Sequence, residues 1–122
     1  MTPLGLPVDA ERLRALLDDL VSGAAAHQPL SNGIDLRTLK AGAQLGLALQ
    51  IAPQALQAGQ LQRVMERRFE QAVAFEGCFV FLNDKGALVI WHKALPADVP
   101  LATILSRLLS LAELGDLDRH CN

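Results

Sequence analysis

Two apolar runs joined by a four-residue turn constrain this chain more than any other stretch: Cys78-Phe-Val-Phe-Leu82, Asn83-Asp-Lys-Gly86 and Ala87-Leu-Val-Ile-Trp-His-Lys93. β-Branched and aromatic residues dominate both runs, which reads as a β-hairpin. Asn83 suits the first turn position, and Asp84 and Lys85 suit the central right-handed ones. Gly86 supplies the positive φ that a type I turn with a following bulge requires. Alternation puts Phe79 and Phe81 on one face and Cys78, Val80 and Leu82 on the other, and Leu88 and Ile90 oppose Val89 and Trp91 in the same way. Both faces are apolar, so both are expected to be covered.

Helices flank this hairpin. At about 100° per residue, a helix from Leu61 to Glu76 gathers Leu61, Val64, Met65, Phe69, Ala72, Val73 and Phe75 into an arc of roughly 180°, wider than packing on one surface needs. Such a helix is expected to touch two surfaces, its own sheet and a partner. Arg68 sits inside the arc, where it either snorkels along its stem or pairs across an interface. Arg63/Glu66 and Arg67/Glu70 have the spacing of weak ion pairs on the other side. A second helix spans Pro100 to Leu114, with Leu101, Ile104, Leu105, Leu108, Leu109, Leu111 and Ala112 on one side, Asp98 as cap and Gly115 as stop.

Towards the N-terminus a helix is expected from Asp9 to Val21, capped by Asp9, striped by Leu13, Leu16, Leu17, Leu20 and Val21, and ended by Gly23. Ala24 to Asn32, small and polar with Pro29 inside, reads as a loop. From Gly33 to Pro53, Leu45, Leu47, Leu49 and Ile51 alternate with Gln44, Gly46, Ala48 and Gln50. Ile34 and Leu36 alternate with Asp35 and Arg37, and Ala41-Gly42 could close a hairpin. A helix competes here, because Leu36, Leu39, Lys40 and Ala43 fit helical spacing and Ala, Leu and Gln are good helix formers. Strands are the favoured reading, ended by Pro53. The expected fold is α+β: one domain over 1–122, with flexible ends at 1–7 and 116–122. Its antiparallel sheet has the order helix-strand-strand-helix-strand-strand-helix.

Composition restricts function. Hydrophobic residues make up 51% of the chain and mean hydropathy is +0.25, a surplus that a 122-residue domain has to place somewhere. With Tyr absent, four Phe and one Trp, a base-stacking surface is not expected, and a net charge of −2 offers no cation field for nucleic acid. Met1 to Pro7 lacks a basic region and a long apolar core, so it does not read as a signal peptide, and no apolar run reaches a membrane span. The two cysteines, Cys78 in a strand and Cys121 in the tail, suit a reducing compartment, and a cytoplasmic location is expected.

No catalytic or cofactor signature emerges. His27 in the loop, His92 at a strand end and His120 in the tail share no ligand spacing, and surface histidines account for them. Cys78 with His92 across the hairpin could make a thiol and its base, but a cysteine opening an apolar strand behaves as a small hydrophobe. Gly42-x-x-x-Gly46 lacks the Lys-Ser/Thr ending of a phosphate loop. The expectation is a binding protein without cofactor or metal, and not an enzyme.

Three stretches carry a family likeness: Gln60-Leu-Gln-Arg-Val-Met-Glu-Arg-Arg-Phe69, Phe79-Val-Phe-Leu-Asn-Asp-Lys-Gly-Ala-Leu-Val-Ile90 and Leu101-Ala-Thr-Ile-Leu-Ser-Arg-Leu-Leu109. The pattern over 60–117 resembles the C-terminal half of the class I chaperones of bacterial type III secretion systems. That family has three strands before its second helix, where this sequence reads as two. The resemblance implies a homodimer, or a heterodimer with a similar chaperone, that binds the N-terminal segment of a secreted substrate and holds it export-competent. It makes Leu61, Val64, Met65, Arg68, Phe69 and Val73 the candidate dimer interface and Leu45, Leu47, Leu49 and Ile51 the candidate client surface, although packing of that row under the first helix is an equal reading. A chaperone-like regulator that sequesters a transcription factor or secretion component, and a roadblock-like scaffold subunit, are the alternatives.

Overall fold

The computed structural model describes residues 10–23, 27–95 and 100–114. In chain order these form α1 (Ala10–Ser22), β1 (His27–Ser31), β2 (Ile34–Ala41), β3 (Gln44–Ile51), α2 (Gln60–Glu70), β4 (Cys78–Leu82), β5 (Leu88–Leu95) and α3 (Leu101–Leu111), with a 3-10 turn at Pro53–Ala55. The strands make one antiparallel sheet in the order β1-β2-β3-β5-β4. The α+β class and the antiparallel sheet agree with the sequence reading, and the alternating stretch from Ile34 to Ile51 is two strands joined by a turn at Gly42-Ala43.

One element was not expected. Three strands precede α2, because His27–Ser31, read above as loop, pairs with β2 as the sheet's edge. Pro29 has no amide hydrogen to give and sits where the register slips, between Pro29 and Ser31. An edge strand tolerates that, since half of its backbone groups face away from the sheet. Only Leu30 of this strand is buried, so a hydrophobic pattern had little to register. Asn32-Gly33 becomes a hairpin turn in place of loop punctuation.

The core lies on one face of the sheet. Leu13, Leu17 and Leu20 of α1 and Ile104, Leu105, Leu108, Leu109 and Leu111 of α3 pack on Leu36, Leu47, Leu49, Ile51, Leu88 and Ile90. Gly23 closes α1, its amide donating to Leu20 O, while the Asp9 cap lies outside the described residues. The hairpin turn is as expected: Gly86 N–H donates to Asn83 O, Gly86 takes φ +81°, and Asn83 Oδ1 accepts from Lys85 and Ala87 amides at 2.9 and 3.0 Å.

Two helices depart from expectation. α2 stops at Glu70 and not at Glu76, and Gln71 leaves helical geometry at φ −114°, ψ 48°. The chain must turn back here to reach β4. Arg68 Nε donates to Cys78 O at 2.7 Å, and Phe75 swings into the core with the Arg67 guanidinium over its ring. Ala72, Val73 and Phe75 therefore leave the helical arc assigned to them. Arg63 and Arg67 also bypass the expected intrahelical partners: Arg63 Nε pairs with Glu113 at 2.8 Å and Arg67 donates to Ser110 Oγ. In α3, Pro100 is the N-cap residue, the Asp98 cap and Gly115 stop lie outside the described residues, and Glu113 is the left-handed residue at φ +65°. Leu114 N–H reaches back to Leu109 O, which closes the last turn. Gln60 ties the two helices, its buried amide donating to Ala112 O.

Candidate protein-interaction site

The expectation that both hairpin faces are covered is met on one side. Register places Arg37, Ala48, Trp91 and Phe79 in one row across the outer face, with Asp35, Gln50, Val89 and Phe81 in the next. Ala48, Val89 and Trp91 form a second apolar cluster containing no helix residue. Among the described residues no helix packs on this face: α1 and α3 lie on the core side, and α2 meets α3 and β4. Phe79 stays 59% exposed, with Leu39 and Phe81 each at 40%, which makes this uncovered apolar surface the candidate for an interaction site.

Trp91 is the floor of the site. Its indole N–H donates to Leu39 O at 2.7 Å, and its ring lies on Gly46 so closely that a Cβ there would stand 2.2 Å from Cε2. Phe79 leans on it with centroids 5.8 Å apart and planes at 50°. Around them opens a cleft of about 350 Å³ lined by Leu39, Lys40, Ala41, Gln44, Phe79, Phe81 and Trp91. Glycine at 46 is thus explained by a tryptophan from the neighbouring strand and not by a phosphate.

The residues marked from sequence divide. Of the client row, Leu47, Leu49 and Ile51 are fully buried under the helices and Leu45 is half-buried, on a strand with neighbours on both sides. Leu47, Leu49 and Ile51 pack in the core under the helices, and β3 is hydrogen-bonded to β2 and β5. Of the dimer set, Val64 is in the core, Leu61 packs against it, and Arg68 is half-buried on Cys78 O. Met65, Phe69 and Val73 face outward, at 50%, 85% and 90% exposure. Sequence reasoning missed Leu39, Phe79, Phe81 and Trp91 as a site. Their alternation was visible, but both faces of the hairpin looked alike.

Cys78 and His92 do face each other across the hairpin, both buried on the core side. A carbonyl only accepts, so His92 Nδ1 carries the hydrogen that meets Lys93 O at 2.8 Å, and Nε2 receives Arg107 at 3.4 Å. His92 thus lies within a strand, His27 begins β1 instead of lying in a loop, and His120 falls outside the described residues, as does Cys121. Burial raises the Cys78 thiol from its ordinary 9.0 to about 11, opposed by the charges of Arg68 and Arg107. A thiol held protonated is a poor nucleophile. We expect Cys78 to resist iodoacetamide at pH 7.5 in the folded chain and to react after denaturation. The contribution of Cys78 to stability should be fully present below pH 9 and fall between about 9 and 11, where the unfolded chain ionises first. Rapid alkylation of the native protein at neutral pH would contradict this. Among the described residues, no group of three His, Cys, Asp or Glu could hold a metal ion, and no helix is long and apolar enough to cross a membrane.

A sheet covered by helices on one face, with an aromatic cleft on the other, defines a small α+β domain. The chain belongs to the HrpV-like family, whose model matches residues 5–115. The family is associated with type III secretion, in a regulatory or chaperone-like capacity. The match does not place the chain among the class I chaperones specifically, the family suggested by the sequence pattern. No curated protein and no solved structure matches it.

Proposed function

We propose that this protein is a chaperone-like regulator of type III secretion, acting in the cytoplasm without catalysis or cofactor by holding a protein component of the system on its outer sheet face. The observation that carries the reading is the cleft between Leu39, Phe79, Phe81 and Trp91, a rigid aromatic surface on a sheet that its own helices leave open. Large aromatic anchors of this kind dominate binding energy where they are buried by a partner. Met65 and Phe69 on the outer side of α2, with Val73 in the turn after it, are the candidates for a contact with a second copy or a similar chaperone.

Co-expression with each regulatory protein and each secreted substrate of the same secretion system, followed by light scattering of the purified complexes, tests the reading. We expect a regulatory component to co-purify, and the Phe79→Ser, Phe81→Ser double variant to bind it roughly 30-fold more weakly. Both positions are substantially exposed, so the variant should fold. Full retention by that variant would sink the proposal. A secreted client is the second reading, supported by β4 lying at a sheet edge where an extended segment can add. Capture of a substrate's N-terminal segment, and of no regulator, would favour it.

A further inference from the structure

The exposed apolar side chains gather at one edge of the molecule. Seven large ones are exposed among the described residues, and six of them, Met65, Phe69, Val73, Phe79, Phe81 and Leu82, belong to α2, the turn after it and β4. β4 ends the sheet on that side. The opposite edge, β1, is blunted by Pro29 and a register slip, whereas β4 is Cys78-Phe-Val-Phe-Leu82, with neither proline nor charge. The turn sets which of its backbone groups are free. Asn83 N–H donates to Ala87 O, so alternation points the backbone groups of Phe81 and Phe79 at β5 and those of Leu82, Val80 and Cys78 at the open edge. Cys78 agrees with this phase: its N–H donates to Phe75 O and its carbonyl accepts Arg68 Nε. No such partner meets Val80 or Leu82 among the described residues. α2 faces the same way. Gln60 and Arg67 bond to Ala112 O and Ser110 Oγ on the α3 side, and at about 100° per residue Phe69 lies roughly 160–180° around the helix from both. Phe69 and Met65 therefore point away from α3, past the edge that β4 leaves open.

We propose that β4 pairs antiparallel with β4 of a second copy about a two-fold axis at Phe81, joining the two five-stranded sheets edge to edge and setting α2 beside its equivalent. In this register Val80 stands opposite the partner's Leu82, and Leu82 opposite the partner's Val80, so the two free amides and two free carbonyls of each chain all find partners. Phe81 faces the partner's Phe81 on the outer side. The two aromatic clefts then adjoin on one continuous face, each with a phenylalanine of the other copy at its rim. An isologous contact needs a surface complementary to itself, and these backbone groups match themselves while the strand brings no charge against its like. A lone added strand would satisfy the backbone but leave Met65 and Phe69 in water. At about 200 Å² for a whole side chain, Phe69, Phe79 and Phe81 alone expose on the order of 350 Å², a large part of the roughly 800 Å² that each partner gives to a standard interface. The inference rests on the second-copy contact named above, and not on what the cleft holds.

Phe81→Cys, made in a Cys121→Ser background of the full-length chain, tests the register. Non-hydrogen-bonded antiparallel neighbours have Cα atoms about 4.5 Å apart, within disulfide reach, so mild oxidation should yield a covalent dimer. Phe79→Cys should yield none, because four residues along the strands, roughly 13 Å, separate it from its own equivalent. Sedimentation should show the parent as a dimer at about 10 μM, with Phe69→Asp and Leu82→Pro each raising the dissociation constant roughly 30-fold at unchanged circular dichroism. Proline at 82 removes an amide that points away from β5, which an edge strand tolerates. If that variant unfolds, Phe69→Asp decides alone, since its side chain lies in solvent. A monomeric parent, a dimer indifferent to Phe69→Asp, or crosslinking from position 79 without crosslinking from 81 would overturn the proposal. A monomer that loses a co-purifying protein on Phe69→Asp would also overturn it and assign the edge to that protein. The two readings fail separately: a dimer that captures no regulatory component keeps this interface, whereas a monomer that captures one keeps the cleft and overturns the interface.

Discussion

Replacing Gly46 by alanine is expected to lower stability by about 3 kcal/mol, since the added Cβ would make the closest contacts found at any glycine of the described residues. The new Cβ would stand 2.2 and 2.3 Å from Trp91 Cε2 and Nε1 and 2.6 Å from His92 O. The ring could tilt away, but it would then give up the 2.7 Å bond to Leu39 O, worth about 1 kcal/mol. The carbonyl cannot move so readily, because it belongs to β5 and is held by the ladder that pairs Gly46 with Lys93. Overpacking of this kind costs about 1–3 kcal/mol and occasionally more. Urea unfolding should show the loss as a lower midpoint at similar slope, accompanied by a red shift of Trp91 emission in the folded baseline. An unfolding free energy within about 0.5 kcal/mol of the parent would mean that the indole does not rest on Gly46, and the cleft would lose its floor.

Val64→Asp is expected to prevent folding, whereas Phe69→Asp should leave stability within about 0.5 kcal/mol of the parent. Val64 is fully buried among the core residues, and a carboxylate there has no partner to offset the cost of leaving water. A penalty above about 4 kcal/mol consumes most of the 5–15 kcal/mol by which domains are held together. Phe69, one turn and a little further along α2, is 85% exposed. An association defect at Val64 therefore says nothing of an interface, while one at Phe69 does. Circular dichroism and sedimentation of the two variants separate the cases. A folded Val64→Asp protein with altered association would contradict the packing of α2 against the core.

How much of this was legible in the sequence follows from where each signal resides. The β4–β5 turn is local chemistry, an asparagine that caps its own turn and a glycine at positive φ, and it was readable. Strands at Ile34–Ala41 and Gln44–Ile51 were readable from their period of two. β1 was not, because an edge strand holding Pro29 and one buried leucine carries almost no pattern. The end of α2 was not either, since nothing between Gln71 and Glu76 forbids a helix. The stop comes from Arg68 reaching Cys78 O and Phe75 entering the core, which are contacts made only once the fold exists.

The site was hidden for a related reason. The row Leu45, Leu47, Leu49 and Ile51 is more uniformly apolar than the row that includes Ala48 and Gly46, so it drew the client assignment. The greasier row is what two helices bury. The row with a glycine and an alanine is the one that makes room for Trp91 from the next strand, and the resulting surface stays open. Alternation identifies two faces without saying which the helices will choose, and in this hairpin both were apolar enough to qualify.

A photo-crosslinking amino acid placed at Phe81, and separately at Phe69, in cells producing the whole secretion system tests the central claim most directly. Both positions are exposed, so both probes should be carried by folded protein. Binding on the outer sheet face predicts a discrete adduct with a secretion-system protein from position 81, suppressed by Phe79→Ser in the same chain. Adducts from position 69 alone, with position 81 silent, would contradict it and move the binding surface to the outer side of α2.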